Sequence, residues 1–177
     1  MKKYDFVKND TRSWEGRTTR RIIAIQDFDD VKEGDLGGYI ESESNLSQED
    51  TCWVYNSAAV FGDAKVFGDA KVRGNAVVYD NAEVYDNAEV YDDAKVYDDA
   101  EVYGSAVVYD NAKVYDDAKV YGGAEVYGSA EVHDDAEIYG GAEVYGIAKV
   151  YGGAVCGAAE ICGNGEVHGD VVISGGD

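Results

Sequence analysis

Ala82-Glu83-Val84-Tyr85-Asp86-Asn87-Ala88-Glu89-Val90-Tyr91-Asp92-Asp93-Ala94-Lys95-Val96-Tyr97-Asp98-Asp99 is one hexad written three times. The pattern extends in both directions. Every sixth residue from Ala58 to Ala154 is alanine, and Val or Ile stands two places later until Cys156 breaks the rule. A period of six does not fit the 3.6-residue turn of an α-helix, and each unit carries Val with a pair of Gly, Asp, Asn or Ser, all weak helix formers. A strand fits. In Ala-Glu-Val-Tyr, side chains alternate between faces. The Glu/Lys place must meet water, so Ala and Val share the inner face and Tyr shares the outer face with the charge.

The two residues after Tyr make a corner: Asp80-Asn81, Gly104-Ser105, Gly122-Gly123. Such residues tolerate the left-handed backbone of a sharp bend. Proline is absent, as expected where inner strands donate every ladder N–H to a neighbour. Repetition of one strand and one corner is the signature of a β-helix. The aliphatic positions Val84, Val90 and Val96 and the small positions Ala82, Ala88 and Ala94 resemble those of the hexapeptide-repeat, left-handed β-helix family. The resemblance covers about 52–174. It implies an all-β fold, a single-stranded left-handed parallel β-helix in which three hexads close one triangular coil and residues eighteen apart stack. The chain departs from the family in having Tyr where a small residue usually follows the aliphatic one. After Ala154 the next small position is Ala159, five residues on, and the missing residue is placed at the corner near Gly157-Ala158.

Residues 1–50 differ in kind and are read as an amino-terminal cap with a first irregular coil, ahead of a repeat domain at 51–177. Tyr4–Val7 and Arg20–Phe28 read as short strands, and 32–38 as a turn-rich link. An open solenoid end exposes a pairing edge, so a cap is expected. The run from Arg21 through Asp27-Phe28, Gly37-Gly38-Tyr39-Ile40, Asn45-Leu46-Ser47-Gln48 and Cys52-Trp53-Val54-Tyr55 looks like that of uncharacterised bacterial and phage hexapeptide-repeat proteins. That resemblance implies a fold and a mobile-element origin, and no reaction. Arg12, Arg17, Arg20 and Arg21 form the one basic cluster, able to bind an anion but read first as solvated or paired with the acidic solenoid.

The net charge is −21 over 177 residues. Residues 51–177 hold seven basic and twenty-four acidic residues, a balance of −17. Such a surface repels nucleic acid, anionic membranes and acidic substrates, and suits basic surfaces or cations. No segment approaches the ~20 apolar residues of a membrane span, and the start lacks the apolar core of a signal peptide. Three cysteines, Cys52, Cys156 and Cys162, are too few and too odd for a disulfide framework, which points to a reducing, cytoplasmic setting. Cys52 and Cys156 fall on inward positions and Cys162 on an outward one.

Stacking at eighteen residues turns the chain into columns. Outward aromatic stripes run through Tyr91, Tyr109 and Tyr127, through Tyr79, Tyr97 and Tyr115, and through Tyr85, Tyr103 and Tyr121, with rings about 4.8 Å apart. They stabilise the ladder, and Tyr is also enriched at protein interfaces. One corner gathers Asp63, Asp80, Asp98, Asp99, Asp116, Asp117, Asp134 and Asp135 into an acidic ridge. Asp is a common corner residue, which accounts for the ridge without a function. Two sharper readings stand beside that one: weak Ca²⁺ binding by carboxylate oxygens, and imitation of a phosphate backbone that occupies a protein's nucleic-acid site.

No catalytic set or metal-ligand set is legible. Acyltransferases of this repeat family resemble one another in using a His base near a loop that leaves the coil. Here only His133 and His168 exist, both in outward Tyr places, and no long insertion interrupts 58–154. Two histidines cannot supply the three zinc ligands of the related carbonic anhydrases. The reading is a non-catalytic binding protein, an acidic rod that engages a basic protein surface, plausibly of a nucleic-acid-binding protein, as a phage-type nucleic-acid mimic. Self-assembly into homo-oligomers through the last coil or a Tyr face is the alternative. Acyltransferase is the third.

Overall fold

The computed structural model describes residues 2–14 and 16–176. β1 (Tyr4–Trp14) and β2 (Arg17–Ala24) form an antiparallel hairpin, and β3 (Leu36–Ile40) pairs antiparallel with β2. The strands run otherwise than the sequence suggests. β1 is longer than Tyr4–Val7, β2 begins at Arg17 and stops at Ala24, and β3 begins inside the expected link. Gly37 and Gly38 explain the last point. A Cβ on Gly37 would lie 2.6 Å from Ile22 Cγ1, and one on Gly38 2.5 Å from the Ala58 carbonyl oxygen, so these glycines let β3 lie close against the first rung.

From β3 onward the chain is a left-handed parallel β-helix of hexapeptide-repeat type. Its coils repeat at eighteen residues, as in the registers Val78–Val96, Val96–Val114 and Val114–Val132. Three faces result. Face 1 continues β3 through rungs such as Lys95–Val96, Lys113–Val114, Glu131–His133 and Lys149–Tyr151. Face 2 runs from Lys65–Val66 through Glu83–Val84, Glu101–Val102, Lys119–Val120 and Glu137–Ile138 to Val172–Ser174. Face 3 runs from Trp53–Val54 through Lys71–Val72, Glu89–Val90, Glu125–Val126 and Glu143–Val144 to Glu160–Ile161. The repeated Ala and Val point inward and are fully buried from Ala64 and Val66 to Ala148 and Val150. A fully buried Val contributes roughly 1.5–3 kcal/mol, and each coil brings three such places.

The register break falls earlier than expected. Glu137 pairs with Ala154, and Ile138 with Val155, seventeen residues on. Gly152 and Gly153 both take positive φ, 89° and 74°, and the Gly153 carbonyl accepts the Glu137 N–H at 2.9 Å, the bond that Ala136 provides to Lys119 one coil below. Gly153 has therefore taken the place of the inner alanine. Ala154 belongs to the outward charged row, and Cys156 lies outward in the Tyr row rather than inward. The alanine period misleads here because the deleted residue comes from the corner before Ala154, not the one after Cys156.

The cap plugs the first coil with aromatic rings and one buried cation. Tyr4 and Phe28 pack edge-on to Trp53. Lys3 is 1% exposed. Its Nζ donates to the carbonyls of Glu49 (2.9 Å), Asp50 (3.2 Å) and Cys52 (2.9 Å), which compensates the cost of burying an ammonium. The arginines are held within the cap, not by the acidic repeats. Arg17 pairs with Glu41 at 3.2 Å and Arg21 with Asp10 at 3.7 Å. Arg12 lies over Tyr39 and Arg20 over Phe6.

Candidate functional site

The acidic edge lies where face 1 turns into face 2, and it is two rows rather than one ridge. The first residue of each corner, Asp80, Asp98, Asp116 or Asp134, takes φ of 55° to 58°, a region Asp tolerates better than most side chains. This first row runs beside the face 1 aromatic column. In the second row Asp63, Asn81, Asp99 and Asp117 turn toward face 2. With Lys65, Glu83, Glu101 and Lys119 they line an open groove of about 570 Å³. Asp135, one coil on, lines a separate hollow with Glu137, Tyr151 and Asp170.

Both rows have local work. The Asp134 N–H donates to Asp116 Oδ2 at 3.4 Å, and the same bond joins Gly104 to Asp86 and Gly128 to Asp110 on the other corners. A first-row carboxylate therefore serves a corner N–H of the next coil. In the second row Asn81 Nδ2 donates to Asp99 Oδ1 at 2.9 Å, so an amide alternates with a carboxylate. Repulsion survives where Asp follows Asp. Burial pushes the Asp98 carboxyl up, and the carboxylates of Asp116, Asp80 and Asp99 add to it against the pull of the Asp116 N–H.

The aromatic columns are as expected in position. On face 1 Tyr79, Tyr97 and Tyr115 stack at 4.9 Å. On face 3 Tyr91, Tyr109, Tyr127 and Tyr145 stack at 4.8–5.0 Å. The faces are not equivalent, which the sequence reading missed. On faces 2 and 3 Tyr hydroxyls donate to the Glu of the next coil: Tyr85 to Glu101, Tyr121 to Glu137, Tyr127 to Glu143. On face 1 the corresponding places hold Lys95 and Lys113. There Glu131 bridges Lys113 and Lys149 at 2.9 Å each, and both lysines hold its carboxyl low. Face 3 carries Glu89, Glu125, Glu143 and Glu160, and its basic residues Lys71 and Arg73 both stand near its amino-terminal end. It is the face where negative charge is least compensated. Reading the charged place at a stride of eighteen residues would have found it.

The two histidines differ. His168 is exposed, its Nε2 3.1 Å from Glu166 Oε2. His133 stacks on Tyr115 at 4.6 Å and meets Tyr151 edge-on. Its side chain is 12% exposed, and Nδ1 faces Asp134 Oδ2 at 3.5 Å and Asp116 Oδ2 at 3.7 Å. The sequence reading treated His133 as a substitute for Tyr and did not join it to the acidic row. The signal was there, since His133 stands eighteen residues after Tyr115 and directly before Asp134. Of the thiols, Cys52 is buried and Cys162 exposed. No helix among the described residues is long and apolar enough to cross a membrane.

No family model matches the chain. A stretch of 41 residues is 51% identical to the "Uncharacterized acetyltransferase YdcK" of Escherichia coli (strain K12). The match covers 23% of this chain and 13% of that protein.

Proposed function

We propose that the protein is a binding module that presents an acidic rod to a basic surface, in the manner of a nucleic-acid duplex. The observation that carries this reading is linear charge density. Seven coils at the usual strand spacing of about 4.8 Å make a rod of roughly 34 Å. Its balance of −17 then corresponds to one net charge per roughly 2 Å, close to the ≈ 1.7 Å of B-form DNA. The carboxylates stand on a rigid lattice, so a partner does not have to order them on binding. The partner is a nucleic-acid-binding protein whose basic groove accepts the Asp corner of the rod. Calorimetric titration of a purified basic nucleic-acid-binding domain tests the reading. Binding should be seen at low salt and should weaken at least about tenfold in the D98N/D116N/D134N variant; equal affinity of the variant contradicts it.

A second reading is acyl transfer, favoured by the printed name of the Escherichia coli relative. His133 is the group to consider for it, an imidazole with two carboxylates at one nitrogen. No loop leaves the coil beside it among the described residues of 58–151, so the walls of a substrate cleft would have to come from a second chain. Acetyl-coenzyme A binding decides, and a clean negative removes this reading.

A further inference from the structure

In the face 1 aromatic column an imidazole, His133, stands between Tyr115 and Tyr151. The stack turns at this ring, which is parallel to Tyr115 (6°) but lies 75° from Tyr151. The ring is thereby gripped from both sides, and Nδ1 is directed at the two first-row carboxylates of its own coil and the coil below.

We infer that Asp116, His133 and Asp134 form a binding site for a first-row divalent metal ion, of which zinc is the type. Three observations support it. Nδ1 lies 3.5 and 3.7 Å from the two carboxylates and makes no short hydrogen bond to either, while Asp116 Oδ2 accepts only the long 3.4 Å N–H of Asp134. The three donor atoms lie within 4.8 Å of one another, and ligands at 2.0–2.2 Å from zinc sit about 3–4 Å apart. The donor set, one imidazole and two carboxylates, suits zinc and its neighbours rather than calcium, which takes oxygen ligands alone. Two carboxylates held on adjacent coils repel each other, and a dication between them relieves that. Asp116 and Asp134 are partly open to solvent, 42% and 57%, which leaves room for water as the remaining ligands.

The site shares Asp116 and Asp134 with the proposed contact surface, and zinc binding is tested on the protein without a partner. The full-length protein is titrated with ZnCl₂ by calorimetry and by nitrogen-detected imidazole NMR. With only two histidines in the chain, each ring is assigned directly. One zinc per chain is expected, with the Nδ1 resonance of His133 moving and His168 unmoved. His133→Tyr keeps an aromatic ring in the column and should abolish this binding while keeping the melting temperature. Asp116→Asn and Asp134→Asn should each weaken it by at least the ~10–100-fold lost when a metal site's supporting groups are removed. His168→Asn should change nothing. The inference is overturned if no zinc binds, if His133→Tyr binds zinc as the wild type does, or if zinc moves His168 alone. Calcium bound with equal affinity by wild type and His133→Tyr would assign the Asp row as a diffuse cation surface and likewise overturn it.

Discussion

The Tyr85 hydroxyl donates a 2.9 Å hydrogen bond to Glu101 Oε2, sixteen residues on and one coil along the rod. The same bond recurs from Tyr121 to Glu137 and from Tyr127 to Glu143. It ties the outer surface of one coil to the next, over a core that Ala and Val already fill. A neutral-to-charged hydrogen bond is worth about 1.5–3 kcal/mol when shielded and less at a half-exposed surface. Tyr85→Phe keeps the ring stack and removes the bond, so it should cost about 0.5–1.5 kcal/mol in urea unfolding. Tyr85→Ala, which also removes the stack on Phe67 and Tyr103, should cost more. Equal losses from the two would show that the hydroxyl contributes nothing.

Alkaline titration tests the same ladder collectively. Burial is the first cause that pushes the phenols of Tyr97, Tyr109, Tyr115 and Tyr121 up to about 12, with neighbouring carboxylates adding to it. An ordinary phenol titrates near 10. Between those values the folded chain binds more protons than the unfolded one, so stability is complete below about pH 10 and falls as pH rises toward 12. The melting temperature should drop over that interval, together with a late rise of tyrosinate absorbance. A normal titration near pH 10 with the fold intact would contradict it.

Repulsion along the first row predicts a stabilising substitution. Asp98→Asn keeps a side chain that tolerates positive φ and removes a charge facing Asp80, Asp99 and Asp116. Like charges about 4–5 Å apart in water cost about 1 kcal/mol per pair. The variant should therefore be more stable at low ionic strength, by about 1 kcal/mol, and the gain should vanish in high salt. A gain independent of salt would assign it to something other than charge.

The corner at Gly152–Gly153 should be intolerant of a side chain. A Cβ on Gly153 would stand 2.4 Å from the Val171 carbonyl oxygen and 2.6 Å from that of Gly169, on a backbone at φ 74°. Gly153→Ala should destabilise the last coil by roughly 1–3 kcal/mol. In a solenoid each coil leans on its neighbours, so hydrogen exchange should quicken at 166–174 and remain slow at 83–126. Uniform loosening of the whole rod would contradict this local account.

How far the sequence could be read follows from where the information sits. Ala82, Val84 and their repeats report one thing only, an inward place, and they report it in every hexad, so coil, register and core were legible without coordinates. The Tyr columns and the Asp corner followed by counting in eighteens. The register break did not, because Ala154 continues the six-residue spacing after the phase has changed; only the pairing of Ile138 with Val155 shows that Gly153 stands where alanine should. The cap resisted because it has no period, and the burial of Lys3 depends on three carbonyls that no local pattern brings together. The grouping of His133 with Asp116 and Asp134 was hidden differently. Its members stand in two adjacent columns, and no single column at a stride of eighteen contains all three.

Lys3 gives a further test of the cap. Removing its Nζ leaves the carbonyls of Glu49, Asp50 and Cys52 without this donor, at about 1–3 kcal/mol for each that stays buried and unpaired. Lys3→Met fills the space but not the bonds, and should lower stability by at least about 2 kcal/mol with loss of protection in β1. Unchanged stability would show that water replaces the ammonium.

The central claim is that the rod takes the place of a nucleic-acid duplex on a basic protein. Competition measures it most directly. A labelled DNA duplex is bound to a purified basic nucleic-acid-binding domain and the protein is added at rising concentration and at several salt concentrations. The account predicts complete, mutually exclusive displacement, with affinity falling on the order of 10³-fold between 50 and 200 mM salt, as for duplex itself. A ternary complex of the domain, duplex and this protein, or no displacement at 50 mM salt, would contradict it.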